Sequence, residues 1–406
     1  METHCCIAGG GPAGVMLGYL LARAGVDVVI LEKHADFFRD FRGDTIHPST
    51  LEVMDELGLL DGLLKIPHSE IRTLSGNFGG TTVTIGDFSH VPGRCKFVAF
   101  MPQWDFLNYL AAEGKRFPGF TLRMETEAVD LLRENGAVRG VVARTHDGQE
   151  TIRAKLVVAA DGRHSTLREK AGLRVVEIGA PIDALWMRLS KKAGDPSQSF
   201  GTAVPGGIFV TIDRLTYYQC AFVIRKGGYA ELQAGGLAAF RQKIAAMVPH
   251  LADRVDELRG WDDVRLLEVR VDRLERWSMP GLLCIGDAAH AMSPVGGVGI
   301  NLAVQDAVAA ANRLTASLAS GTPKPSDLEA VQRRREFPTK VTQGIQVFIQ
   351  DRFLNRVLQA RGPISLPWPL RALALVPALR RIPARIIGVG VRPEHVAKQA
   401  VPPLQV

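Results

Sequence analysis

At 406 residues, 46% of them hydrophobic and with a net charge of +7, the chain is long enough for two domains and too apolar to be disordered. No window of about twenty residues is apolar and charge-free enough to span a bilayer. The five cysteines, Cys5, Cys6, Cys95, Cys220 and Cys284, make no C-x-x-C pair, disulfide framework or zinc spacing, so no metal is expected.

His4 to Ala8 reads as a short buried strand, and it begins so near Met1 that no secretory or transit leader fits before it; a cytoplasmic protein is expected. Gly9, Gly11 and Gly14 follow as G-x-G-x-x-G. Met16, Leu17, Leu20, Leu21 and Ala24 then recur at helical spacing until Gly25 stops the helix. Val28 to Leu31 reads as a second strand ending in Glu32, eighteen residues past Gly14. Glycines at these positions allow a tight turn, close approach to a diphosphate and close packing of the helix on the sheet, while the acid accepts ribose hydroxyls. This strand-turn-helix-strand context predicts a bound dinucleotide.

Pro48 punctuates the loop that follows, and Ser49 is expected to cap a helix spelled "TLEVMDELGLLDGL". Residues 71–101 alternate in the strand manner, and "QWDFLNYLAAEGKRF" returns to a helix. The stretch up to Gly162 reads as strands joined by "ENG" and "HDG" hairpin turns. Residues 176–275 are strand-rich, interrupted by one helix around "GGLAAFRQKIAAMVPHLADRVDELR". "LLCIGDAAH" and a long helix from "GINLAVQDA" restore the α/β character. The remainder is helical, broken by Pro363, Pro367, Pro369, Pro377 and Pro383. The expected division is a nucleotide-binding domain of 1–70, 102–175 and 276–345, a β-rich domain of 71–101 and 176–275, and a helical extension of 346–406.

Two later stretches repeat one device, an apolar strand ending in an acid beside glycine: Asp161-Gly162 and Gly286-Asp287. A carboxylate there accepts from ribityl hydroxyls, and the second glycine loop, opening a helix at Gly299, offers backbone N–H groups to an isoalloxazine carbonyl. A cofactor running from the N-terminal loop to one nearly 300 residues later fits FAD better than NAD. The three motifs together resemble the single-component FAD-dependent aromatic monooxygenases typified by para-hydroxybenzoate hydroxylase, including the ubiquinone-biosynthesis hydroxylases. The resemblance spans about residues 4–345. It implies a Rossmann-like FAD-binding α/β domain of the glutathione-reductase type, interrupted by a β-rich substrate domain. It also implies that Gly9, Gly11, Gly14 and Glu32 hold the ADP half of FAD, with Arg42 and Gln103 at the pyrophosphate and ribityl chain. Val129 matches a backbone contact to adenine, Asp287 the ribityl contact, and Gly299, Ile300 and Asn301 positions along the flavin. Pro294 would edge the pocket where flavin meets substrate, and Asp161 with nearby Arg168 would serve both FAD and NAD(P)H. Val298 departs from the family, which commonly has Gln between these glycines.

The implied reaction consumes NAD(P)H and O2 and hydroxylates a small apolar, aromatic substrate through a C4a-hydroperoxyflavin. A FAD-dependent reductase acting on a polyprenyl- or quinone-like substrate shares the motifs; a flavin-dependent halogenase would carry a W-x-W-x-I-P stretch that is absent. A FAD-binding protein without redox turnover is the reading from a different class. No nucleic-acid module is visible. From Arg352 to Arg392 there are eight arginines and no acid, which reads as a solvated helical face or as peripheral contact with an anionic membrane. His290 is expected to brace its loop, His47 to be structural, and only one of Tyr217 and Tyr218 to face inward.

Overall fold

The computed structural model describes residues 1–38, 45–196 and 200–398. Its first sheet runs Ser278–Met279, Leu282–Cys284, Gly148–Ala159, Glu2–Ala8, Val28–Leu31, Phe120–Arg123. The four strands from Leu282–Cys284 to Val28–Leu31 are parallel, and their paired ends at Cys5–Ala8, Val28–Leu31, Leu156–Ala159 and Leu282–Cys284 are apolar and buried, as strands covered on both faces must be. The helix Pro12–Arg23 packs against both Gln103–Gly114 and Gly299–Ser320 beside this sheet. Two antiparallel strands, Ala137–Thr145 and Glu127–Glu134, extend it. Their hairpin turn holds Asn135 and Gly136 both at positive φ, 50° and 76°, the turn the "ENG" signal implies.

The second sheet has seven strands in the order Arg265–Leu267, Ile182–Ser190, Tyr217–Arg225, Gly207–Asp213, Phe200–Val204, Thr73–Phe78, Thr81–Asp87. Its strands alternate as period two demands: Leu185, Met187 and Leu189 enter a core with Phe209, Phe222 and Phe240, while Ile182, Ala184 and Trp186 face a cavity.

Local details differ from the sequence expectations where a breaker acts. The helix expected from Ser49 starts at Pro48 with His47 at its N-cap, and Gly58 at φ +71° splits it into Pro48–Glu56 and Leu60–Leu63. The helix expected across 235–259 ends at Met247, because Val248 before Pro249 leaves the helical region. At the C-terminal end the prolines start helices more than they break them. Pro369 and Pro377 fall in the first turns of Trp368–Leu375 and Pro377–Arg380, where no N–H is needed. Helix Pro325–Ile349 absorbs Pro338 and continues through a π-helical turn, Gln350–Leu354, into Asn355–Gln359.

Candidate active site

The three motifs meet because their strands share a register. Ala8 lies beside Leu31 and Ala159, and Ala159 beside Cys284, so the parallel strands end in line. Gly9–Gly11, Glu32, Asp161 and Asp287 therefore stand along one edge of the sheet and line one cavity of about 1550 Å3.

At the first motif, Gly9 sits at φ +107°, where a Cβ would fall 2.2 Å from the Ala160 carbonyl oxygen. A Cβ on Gly14 would fall 1.9 Å from the Gly9 carbonyl oxygen. Gly11 is different: a Cβ there meets nothing within 4 Å, so its backbone faces open space at the cavity. The helix it opens has Pro12 first and no side-chain cap, leaving the amides of Ala13 and Gly14 for a ligand. An open, glycine-lined helix start without a side chain to cap it is an anion cradle, and these residues fit a dinucleotide diphosphate. Glu32 is buried and accepts from the backbone N–H of Gly10 and of His34, both at 3.0 Å. These two bonds orient the acid at the end of its strand.

At the second and third motifs, the Asp161 carboxylate accepts from Ser165 Oγ at 2.5 Å and Leu167 N at 3.2 Å, anchoring the short helix Thr166–Lys170. Desolvation pushes its pKa up against those hydrogen bonds. Arg168 donates to the Ala288 carbonyl at 3.3 Å and the Arg163 carbonyl at 2.8 Å, tying the second motif to the third. Arg163 reaches Asp287 at 3.4 Å. Arg163 and His164, rather than Arg168, line the cavity.

The glycine loop is pinned from two sides. Thr45 Oγ1 donates to the Gly297 carbonyl at 2.7 Å. Asn301 Oδ1 accepts from His47 N at 3.0 Å and Thr50 Oγ1 at 2.6 Å. From the other side Gln346 accepts from Ser293 N and donates to the carbonyls of Ser293 and Val295, and Gln343 donates to those of Asp272 and Ala291. Pro294, Gly299, Ile300 and Asn301 all line the cavity, as does Gln103. Gln343 and Gln346 carried no sequence signal, being polar residues on an otherwise ordinary helix.

Behind the loop lies a buried charge network. Asp306 accepts from Gly286 N at 3.0 Å and Arg335 Nε at 2.9 Å, and lies 2.6 Å from His290 Nε2. All three side chains are at most 1% exposed. Arg335 reaches on to Glu394, which also receives Arg334 at 2.6 Å. Burial alone would push the Asp306 carboxyl up; the facing His290 and Arg335 outweigh it and hold it below the ordinary carboxylate range. His290 thus braces the Gly286-Asp287 turn.

Beyond the loops the cavity is mostly apolar, with Arg352 and Arg356 also in its lining. Ile182, Ala184, Ile208, Val210, Ala221 and Val223, from three neighbouring strands, make one wall. Phe353, Val357, Ile364, Trp368 and Ile387 from the C-terminal segment make another. Tyr218 is buried with its hydroxyl on the Pro196 carbonyl, whereas Tyr217 lies outside under the Arg188 guanidinium at 3.9 Å; neither lines the cavity. His47 does, its Nδ1 2.7 Å from the Ile387 carbonyl oxygen.

Burial lowers the His47 pKa to about 4. The unfolded chain takes up this proton near 6.5, so the associated stability is full above that pH and is lost as pH falls towards about 4. Replacing His47 by Gln is expected to reduce the fall in melting temperature between about pH 7.5 and about pH 5. An unchanged fall would place the acid sensitivity elsewhere.

Of the residues expected at the site, Arg42 lies outside the described residues. Val129 is half-buried and does not line the cavity; Thr126, Glu127 and Ala128 do.

A family model described as FAD binding domain matches residues 2–344. The chain is 34% identical over 390 residues to 6-methylpretetramide 4-monooxygenase of Streptomyces rimosus, covering 95% of this chain and 92% of that one. Among solved structures, PqsL of P. aeruginosa in complex with 2-aminobenzoylacetate superposes with a TM-score of 0.76 at 21% identity, covering 88% of this chain and 98% of that one. OxyS anhydrotetracycline hydroxylase from Streptomyces rimosus gives a TM-score of 0.73 at 22% identity, covering 96% and 76%.

Proposed function

Because this chain belongs to the FAD-binding-domain family, among the single-component FAD-dependent aromatic monooxygenases, we propose that it uses NAD(P)H and O2 to hydroxylate an apolar aromatic molecule. One observation carries this reading: the cradle for the dinucleotide and the apolar chamber are a single cavity, larger than an ordinary small-molecule site, with room for a cofactor and a substrate. In it Gly9, Gly11, Gly14 and Glu32 would hold the ADP half of FAD. Gln103, Asp161 and Asp287 would hold the ribityl end, and Gly299, Ile300 and Asn301 the flavin ring. When bound, FAD supplies the electron transfer and oxygen activation that side chains do not.

The protein's share is position and dryness. The three-strand wall and the C-terminal helices line the chamber with apolar side chains that would keep water from a bound substrate, and Pro294 lines it from the glycine loop. Trp186 lines the wall, and its indole N–H is buried without a protein partner. The relative named for 6-methylpretetramide supports a substrate of that aromatic class.

The test is turnover under labelled dioxygen with candidate aromatic compounds of that class. The expected result is substrate-stimulated NAD(P)H oxidation and one labelled oxygen in the product. A substrate turned over with no label in its product would move the assignment to a FAD-dependent reductase of an apolar substrate.

A further inference from the structure

The two most exposed large apolar side chains among the described residues are neighbours in the C-terminal segment, Leu375 at 81% and Trp368 at 79%. Val376, Ile382 and Ile386 are exposed beside them, and helix Trp368–Leu375 has no buried residue at all. These are not loose ends. Both this helix and Arg381–Gly388 pack across strand Thr81–Asp87. Ala384 and Gly388 are buried, and a Cβ on Gly388 would lie 3.1 Å from the Phe88 ring and 3.2 Å from Pro48. The opposite face of that helix presents Arg381, Ile382, Arg385 and Ile386 outward.

The charge that this segment itself carries is all of one sign. Residues 352–392 hold eight arginines and no acid, and among the described residues none of the eight is in an ion pair with a carboxylate. Asp87, on the strand beneath, feels the charge of Arg381, but its carboxylate is already engaged by Ser89. Arg371 and Arg380 fold back to hydrogen-bond backbone carbonyls of Leu366 and Leu373, which keeps their charge at this face.

We propose that helices Trp368–Leu375 and Arg381–Gly388 form a docking surface for an anionic lipid bilayer. A fixed face of exposed Trp, Leu and Ile interleaved with unpaired arginines is what an interfacial helix needs: apolar side chains for the acyl boundary, cations for the headgroups. No helix of the described residues is long and apolar enough to cross a membrane, so the contact is peripheral. Trp368, Leu370, Ile386 and Ile387 also line the large cavity, so the docking face and the cavity rim are one structure. Resting on the substrate reading above, docking would place that rim where an apolar compound dissolved in lipid could enter.

The experiment is co-sedimentation of the flavin-loaded full chain with vesicles of phosphatidylcholine alone and of phosphatidylcholine mixed with phosphatidylglycerol. Binding is expected to the mixed vesicles at low salt, with release as salt screens the arginines. The double variant Leu375→Glu, Ile382→Glu, at exposed positions that do not line the cavity, is expected to bind about tenfold or more weakly while retaining its flavin, which shows the body intact. Quenching of tryptophan emission by brominated lipid is expected in the parent and lost in Trp368→Phe. No binding to either vesicle, equal binding to both, or a salt-stable dimer that this double variant dissociates would each overturn the proposal. None of these outcomes bears on the labelled-oxygen result, so failure of docking and failure of the monooxygenase reading are separately visible.

Discussion

Replacing Gly11 by Val is expected to yield a folded protein that has lost its flavin, whereas Gly14→Val is expected not to fold stably. Both glycines belong to one motif, but their surroundings differ. A Cβ on Gly14 would sit 1.9 Å from the Gly9 carbonyl oxygen, a backbone atom that cannot yield without separating the first helix from the first strand. Gly11 has φ −76° and ψ −177°, a conformation any residue adopts, and a Cβ there meets nothing within 4 Å. The valine side chain would occupy the space that a diphosphate at the helix start would need. Far-ultraviolet circular dichroism and a thermal melt of the apoproteins, beside the flavin absorbance of each preparation, separate the two effects. A Gly11→Val protein that keeps full flavin occupancy would place the diphosphate elsewhere.

Asp306→Asn is expected to destabilise the protein by about 3–5 kcal/mol, the range for breaking a buried ion pair from one side. The loss arises because Arg335 and His290, each 1% exposed, would face an uncharged amide with no water to compensate. The damage should reach the flavin, because Asp306 also receives the backbone N–H of Gly286 next to Asp287. Adding Arg335→Met is expected to recover part of the stability, since Glu394 still keeps Arg334 at 2.6 Å and the stranded cation is gone. Strictly additive losses in denaturant melts would show that the two residues do not act as a pair. The same carboxylate is expected to add a loss of stability at acid pH, below the range in which His47 acts. The folded state holds the Asp306 carboxyl below the ordinary range, so its contribution is full at neutral pH and disappears as pH falls through that range and below it.

What the sequence determined by itself is local or periodic. The first cradle was legible because the three glycines fall close together in the chain, with Gly14 closing on the Gly9 carbonyl, and because apolar runs set the strands on either side. Glu32, Asp161 and Asp287 were legible for a related reason: each follows directly on an apolar strand, and parallel pairing in register brings such strand ends together. The alternation of Ile182, Ala184 and Trp186 against Leu185, Met187 and Leu189 likewise follows from the period of a strand. Only the tertiary structure decided what holds the second glycine loop. Asn301 meets His47 across 254 positions of chain, Gln346 meets Ser293 across 53, and Arg335 meets Asp306 across 29. Single polar residues of this kind leave no periodic trace, and their partners are chosen by how separate elements pack. The same holds for the C-terminal helices. Their composition marked them as apolar and basic, but their place as one wall of the cavity follows from Ala384 and Gly388 being small enough to seat against Phe88 and Pro48, a fit between surfaces made by distant parts of the chain.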